Sequence, residues 1–319
     1  MSTISFKKSY RSNTIRLPNE SGNLNLYTPE TINGAKLLGV FDSGSDEWHE
    51  LRSHGIGGSE IGTILGLNPW ESAYYLWATK TGQLPPKQLD SFAVKLGNWL
   101  EPMILDTILP EIHSDWKIYR TGTYRHPYLP YLHANPDALA MIDGELCVIE
   151  VKTSRNYWAE VPPHYVAQLQ HYMNVLGIKR GFIVGLVGMD WTEHEFAFDQ
   201  FEADVMEQRA IEFWDSVRNG HAPDFDGSES TYEAVREIHP DIEPGLEIEI
   251  DGIHNLANAQ LAFEEAEFAL RKQKSEVLAL MGKAQHAYTE VDGVRYRVAS
   301  RQSRAGSKPF LVINKKGNK

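Results

Sequence analysis

Apolar positions along this chain recur at two spacings, and the switch between them marks out its elements. Trp48 and Arg52 stand four apart, as on a short helix, and Gly55, Gly57 and Gly58 then lead to Ser59, read as the cap of a second helix carrying Ile61, Ile64 and Leu65. A third helix over 74–80 stops at Gly82 and the prolines behind it. In 91–109, Phe92, Leu96, Leu100 and Met103 form an apolar stripe at helical spacing. The period then shortens. Residues 117–125 and 131–133 read as extended, 145–152 and 193–199 alternate, and 181–188 is a continuous apolar run suited to a buried strand. Between the strands, 161–177 is a helix that starts behind two prolines and stops at Gly177, with Leu169, Met173 and Leu176 on its core face. A helix over 200–219 closes an α/β core.

Four segments follow from these patterns. Residues 1–40 are an irregular N-terminal arm, polar and without periodicity, and 41–220 are the core. Residues 221–245, rich in Pro, Asp, Ser and Gly, are a linker. In 246–319, Leu256, Ala259, Phe263, Ala266, Leu270, Val277 and Leu280 keep a heptad-like spacing broken at Gln273, which predicts a long helix, and a basic β-hairpin turns at Asp292-Gly293. At 319 residues and 42% hydrophobic the chain can bury a sizeable core. It has no apolar run long enough to span a membrane and no apolar signal-peptide core, so a cytoplasmic location is expected. One cysteine, Cys147, excludes a disulfide framework and a four-cysteine metal site. The formal charge of −12 speaks against a uniformly basic nucleic-acid surface, but the charge is uneven: 193–251 is strongly acidic, and everything after Asp292 is basic or neutral.

The chemistry concentrates in residues 135–152. Asp143-Gly144 is a tight-turn dipeptide between two apolar segments, so the chain folds back there. In the second segment Cys147 and Ile149 point one way while Val148, Glu150 and Lys152 point the other. Two charges on an apolar strand must be paired or bind something to offset desolvation. The hairpin brings Asp137 alongside Glu150, and two converging carboxylates make a hard-oxygen site suited to Mg²⁺. An edge hairpin with a surface Glu-Lys pair would read the same in isolation. Elsewhere, Ala93, Gly97 and Glu101 line up on one helix face, leaving room beside Glu101, a candidate third acidic ligand. The glycine-rich turn before Ser59 would suit an anion, with Arg52 as a guanidinium fork, although ordinary helix capping explains the turn equally well. Tyr165, Gln168 and Tyr172 share a polar-aromatic face that could hold a phosphate or a base, or could be plain amphipathic surface. The histidines lack zinc-ligand spacing.

Pro136-Asp137 with Glu150-Val151-Lys152 resembles the PD-(D/E)xK nuclease motif. Together with residues 48–52, Gly58-Ser59, Gly97 with Glu101, and residues 165–170, it resembles the lambda-exonuclease or YqaJ-type phage recombinase family over about residues 46–220. The resemblance implies a restriction-endonuclease-like core, a mixed central sheet flanked by helices, here with a C-terminal helical and β extension. It implies a 5′-to-3′ exonuclease acting on double-stranded DNA ends and leaving 3′ single-stranded tails for a phage annealing protein. Glu101, Asp137, Glu150 and the Val151 carbonyl would hold Mg²⁺, with Mn²⁺ as a substitute, and Lys152 would orient or deprotonate the attacking water. Arg52, Ser59 and Gln168 would bind the 5′-terminal phosphate, with Tyr165 beside them. Asn135 stands where lambda exonuclease has a serine, and its amide can still donate to phosphate. A homo-oligomeric ring and a phage or prophage origin follow from the family. A PD-(D/E)xK endonuclease and a catalytically inactive DNA-end-binding protein remain alternatives.

Overall fold

In the computed structural model, which describes residues 25–42, 44–87, 91–304 and 306–318, the chain forms two compact units, Met1–Asp241 and Ile242–Lys319. The first unit opens with β1 (Asn25–Leu26), β2 (Thr31–Ile32) and β3 (Ala35–Gly39). This corrects the irregular reading of the arm over 25–39; residues 1–24 lie outside the described residues. β1 pairs with residues 119–120 and β3 with 123–125, both distant in sequence, whereas β2 and β3 form a local hairpin whose Asn33-Gly34 turn the sequence reading passed over. Four helices follow: α1 (Asp46–Ser53), α2 (Gly58–Ile64), α3 (Ala73–Lys80) and α4 (Phe92–Met103).

The helix predicted over 91–109 is interrupted. Pro102 removes a helical N–H, and a widened π-helical turn, Ile104–Ile108, leads into the short α5 (Leu109–Ile112). Its apolar stripe is not a core face either. Phe92 is 70% and Met103 45% exposed, while Leu100 packs against the core. The helix approaches the sheet through its small residue, since a Cβ on Gly97 would stand 3.3 Å from Thr153 Oγ1.

The remaining elements of the unit are β4 (Lys117–Arg120), β5 (Thr123–Arg125), β6 (His133–Ala134), β7 (Ala138–Ile142), β8 (Glu145–Ser154), α6 (Pro163–Leu176), β9 (Arg180–Val187), β10 (Asp190–Ala197), α7 (Gln200–Asn219) and α8 (Glu229–Ile238). Six strands form a mixed sheet in the order β1-β4-β7-β8-β9-β10, with β8 and β9 parallel, and β2-β3-β5-β6 form a second sheet. The α/β reading thus holds, and the β7–β8 hairpin is central rather than at an edge. It turns at Asp143-Gly144, both with positive φ (52° and 84°), as a two-residue turn matched to strand twist requires. Alternation along β8 divides the core as predicted: Cys147, Ile149 and Val151 pack with Ile104, Leu105 and Phe182, and Val148 with Leu169, Met173 and Ile183. The linker reading of 221–245 misses α8, whose Ser230 side chain accepts from the Ser72 N–H at 3.1 Å.

The second unit contains one 28-residue helix, α9 (His254–Met281), and a three-stranded sheet of β11 (His286–Val291), β12 (Val294–Gln302) and β13 (Phe310–Asn318). The hairpin at Asp292-Gly293 forms, and β13 adds a third strand that the sequence reading lacks. Among the described residues of α9 only Met281 is buried, so its heptad positions Leu256, Phe263 and Leu280 are exposed.

Candidate active site

Glu150 lies at the centre of the six-stranded sheet and is 1% exposed. Lys152 Nζ stands 2.6 Å from its Oε1, and Gln168 Nε2 on α6 donates to the same oxygen at 2.7 Å. Its Oε2 is buried and has no partner. Asp137 ends the chain segment before β7, where the hairpin register sets it beside β8, and its Oδ2 accepts from the Val151 N–H at 2.7 Å. Glu101, on the last turn of α4, is held by Arg120 at 3.4 Å; Arg120 also pairs with Asp106 at 3.2 Å.

Electrostatics tie these acids together. Burial, then Asp137, raises Glu150 to about 8, against the opposing pull of Lys152. Burial, then Asp137, raises Glu101 to about 7, although Arg120 and Lys152 act the other way. Asp137 is raised by burial too. Burial lowers Lys152, but Glu150 and Asp137 outweigh it, so the ammonium stays charged. An ammonium held that way can orient a water or a phosphate oxygen, and it is poorly placed to remove a proton. Tyr165 lies against it, with Nζ 5.0 Å from the ring centre. The predicted Tyr165, Gln168 and Tyr172 face therefore lies inward on the acidic cluster. Gln168 Nε2 also donates to Tyr172 Oη at 3.1 Å.

A second group lies next to this one. Arg52 stacks over Trp48, 4.6 Å from the ring centre, and its Nη2 donates to Ser59 Oγ at 3.3 Å and Glu60 Oε1 at 2.8 Å. Ser59 does not cap α2. The cap is Gly57, whose N–H donates to Glu60 Oε2 at 2.9 Å, because a glutamate three residues after the cap can reach back to it. Trp48, Arg52, Gly57, Gly58, Asn135 and Tyr172 line one cleft. Asn135 Oδ1 accepts from Thr123 Oγ1 at 2.9 Å, which leaves its amide N–H groups to donate.

Sequence reasoning missed Glu60 and Lys80. Glu60 is 5% exposed, and Lys80 Nζ donates to both of its oxygens at 2.9 Å, to Gly55 O at 2.7 Å and to Arg52 O. Burial raises Glu60, but Arg52, Lys80 and the Gly57 N–H outweigh it and bring the carboxyl down to about 2. The Gly57-to-Glu60 capping spacing was legible; nothing local marks Lys80.

Residues 47–179 match the family model described as the YqaJ-like viral recombinase domain. That stretch of the chain belongs to this family. The chain is 37% identical over 216 residues to the uncharacterized protein YqaJ of Bacillus subtilis (strain 168), an alignment covering 64% of this chain and 66%, just under two thirds, of that protein. A shorter match, 38% over 64 residues, links 20% of the chain to 18% of protein D345L of African swine fever virus. Among solved structures, an alkaline exonuclease (LHK-Exo) from Laribacter hongkongensis is similar at 18% identity and a TM-score of 0.46, over 56% of this chain and 94% of that one. A phage related exonuclease from Haemophilus somnus 129PT is similar at 10% identity and a TM-score of 0.39, over 53% of this chain and 96% of that one.

The acidic cluster of the YqaJ-like domain suits a divalent cation in its chemistry. Its donors are hard oxygens, one carboxylate oxygen is buried without a partner, and burial and then the acids' mutual repulsion raise Glu150 and Glu101 despite Lys152 and Arg120. As the side chains stand, no three His, Cys, Asp or Glu among the described residues are drawn up to a common metal point. Arg120 holds Glu101, while Lys152 and Gln168 hold one oxygen of Glu150, so a bound cation would compete with these contacts.

Proposed function

We propose that the chain is a Mg²⁺-dependent 5′-to-3′ exonuclease that degrades one strand of duplex DNA from its ends and leaves 3′ single-stranded tails for phage-type recombination. The observation that carries this reading is the convergence of Asp137, Glu150 and Lys152 on β7–β8, with an unpartnered Glu150 oxygen at its centre. Glu101, Asp137, Glu150 and the Val151 carbonyl would hold the cation. Bound there, a divalent cation would polarise the scissile phosphate and make water acidic enough to attack at neutral pH. The protein's own part is positional. Lys152 carries positive charge to where the pentavalent phosphorus develops negative charge, and Gln168 keeps Glu150 from rotating away. The Tyr165 ring stands against the Lys152 ammonium, 5.0 Å from ring centre to Nζ, and would help hold it in place.

Arg52, Ser59 and Asn135 would take the 5′-terminal phosphate in the adjoining cleft. The guanidinium offers donors that Glu60 does not use, the Asn135 amide adds others, and Gln168 and Tyr172 join the cleft to the acids. A phosphate anchored there would set the next phosphodiester toward the carboxylates. Following the family resemblance, a phage single-strand annealing protein would receive the product, the chain would assemble as a homo-oligomeric ring, and it would work in the bacterial cytoplasm.

The test is digestion of linear duplex DNA with a 5′-phosphate or a 5′-hydroxyl, beside a covalently closed circle, in Mg²⁺, Mn²⁺ or EDTA. The expected result is metal-dependent loss of the 5′-phosphorylated strand, abolished in Lys152→Ala. Cleavage of the circle would instead identify an endonuclease. Retained end binding without cleavage would leave a binding protein.

A further inference from the structure

Charge is divided along this chain more sharply than its total suggests. Residues 283–319 hold nine Lys and Arg against two acidic residues, a formal +7, whereas the preceding 282 hold 22 against 41, a formal −19. Cations of the first unit such as Arg52, Lys80, Arg120, Lys152 and Arg180 are paired with carboxylates. Among the described residues, Arg295, Arg297, Arg304 and Lys308 of the second unit are in no ion pair.

Their placement is regular. Arg295 and Arg297 alternate on one face of β12, and Arg297 lies directly opposite Tyr288 on β11. The Arg295 guanidinium is 4.1 Å from the Tyr288 ring centre, and both residues are exposed. Residues two apart on a strand are separated by about 6.8 Å, and a nucleic-acid strand carries one phosphate per about 3.4 Å of helix axis, so the two arginines span about two phosphates. Arg304 lies near Phe310 (5.7 Å), so a second cation and ring stand at the far end of the same sheet. Arg301 differs. It donates to the Gly282 carbonyl just past α9 and serves the unit's own fold.

We propose that the β11–β13 sheet is a sequence-independent DNA-backbone binding surface, with Arg295, Arg297, Arg304 and Lys308 as phosphate contacts and Tyr288 as a stacking ring beside them. The choice of DNA as the polyanion rests on the nuclease reading; the sheet itself contains none of the groups assigned to catalysis. Unpaired cations on a half-exposed sheet gain from counterion release when phosphates replace small ions, and exposed rings accept any base. Such a surface needs no DNA end.

The experiment uses the full chain in EDTA, with two probes that lack ends: a covalently closed duplex circle and a closed single-stranded circle. Affinity is measured against salt for the wild type, for Arg295→Gln/Arg297→Gln/Arg304→Gln/Lys308→Gln, and for Arg304→Glu/Lys308→Glu. The second variant changes only residues between β12 and β13, so it leaves the strands intact. The expected result is about tenfold or greater weakening for the quadruple variant near 0.1 M salt, with a log–log slope shallower by about 0.9 per lost contact on duplex, or about 0.7 on the single strand. Which probe carries the larger change tells duplex from single-strand holding. Unchanged affinity and slope in both variants would overturn the proposal, whatever the cleavage assay gives. Normal circle binding with no cleavage of linear DNA would count against the active-site reading alone.

Discussion

Burial and then the neighbouring Asp137 drive the Glu150 carboxyl toward its protonated form, although Lys152 and Gln168 hold one of its oxygens. Its ordinary value is 4.5 and its folded value about 8. Between the two, the folded protein keeps a proton that the unfolded chain has released, so without metal this group makes stability fall as pH rises. A divalent cation should reverse that. Thermal unfolding without metal should come earlier at pH 8 than at pH 6, and less so in Glu150→Gln. Mg²⁺ affinity should rise through pH 7–8, with proton release seen by calorimetry in buffers of different ionisation heat. Glu60 has the opposite balance. Lys80→Met would leave Glu60 buried with Arg52 as its one close counter-charge, at a cost of about 3–5 kcal/mol in urea denaturation. Glu60→Gln should instead narrow the difference in digestion rate between 5′-phosphorylated and 5′-hydroxyl ends, because Arg52 loses the partner that aims it.

At the level of elements, two close approaches hold the site together. Helix α2 meets α6 through Gly58 and Gly62: a Cβ on Gly58 would fall 2.4 Å from Tyr172 Cε1, and one on Gly62 3.0 Å from His164 Cβ. Strand β9 meets β8 at Gly185, where a Cβ would fall 1.8 Å from the Lys152 carbonyl oxygen. The obstacles differ in stiffness, a ring in one case and paired backbone in the other. Gly58→Ala should cost about 1–3 kcal/mol and weaken cleavage by moving Tyr172 and Gln168. Gly185→Ala should cost more, since the strands must separate beside Lys152; a urea series on the two variants checks the order. The hydrophobic pattern reported most of the core's helices and strands, though not β1–β3 or α8, and it placed β8's two faces correctly. It misjudged α4, because the glycine-bearing side that meets β8 carries little apolar signal while Phe92 and Met103 carry much.

Over the whole molecule, acid stability should follow two histidines as much as the carboxylates. Burial brings His133 and His171 to about 4, against an ordinary 6.5. The unfolded chain therefore takes up protons at these two positions first as pH falls from about 6.5 to 4, which lowers stability across that window, while without metal the raised Glu150 and Glu101 act the other way; Glu60 adds its own loss from about 4.5 down to about 2. Denaturant midpoints measured from pH 7 to pH 4 should therefore fall less, or rise more, in His171→Asn than in the wild type, and identical profiles would refute the histidine contribution. Residues 240–253, which run across the boundary of the two units into the second, are exposed and without helix or strand, so limited proteolysis should cut there before it cuts the helices and sheets on either side.

What the sequence determined by itself is local or nearly so. The Asp143-Gly144 turn fixes the hairpin, and period-two alternation then fixes which side of β8 bears Glu150 and Lys152. Tertiary structure decided what long-range packing alone can decide. It supplied partners for β1 and β3 about 90 residues away, buried the Gln168 face that could have been surface, and joined Arg52 to Asn135 in one cleft. It also brought Lys80 beneath Glu60, twenty residues apart in sequence, because a buried charge settles only where another element delivers its counter-charge.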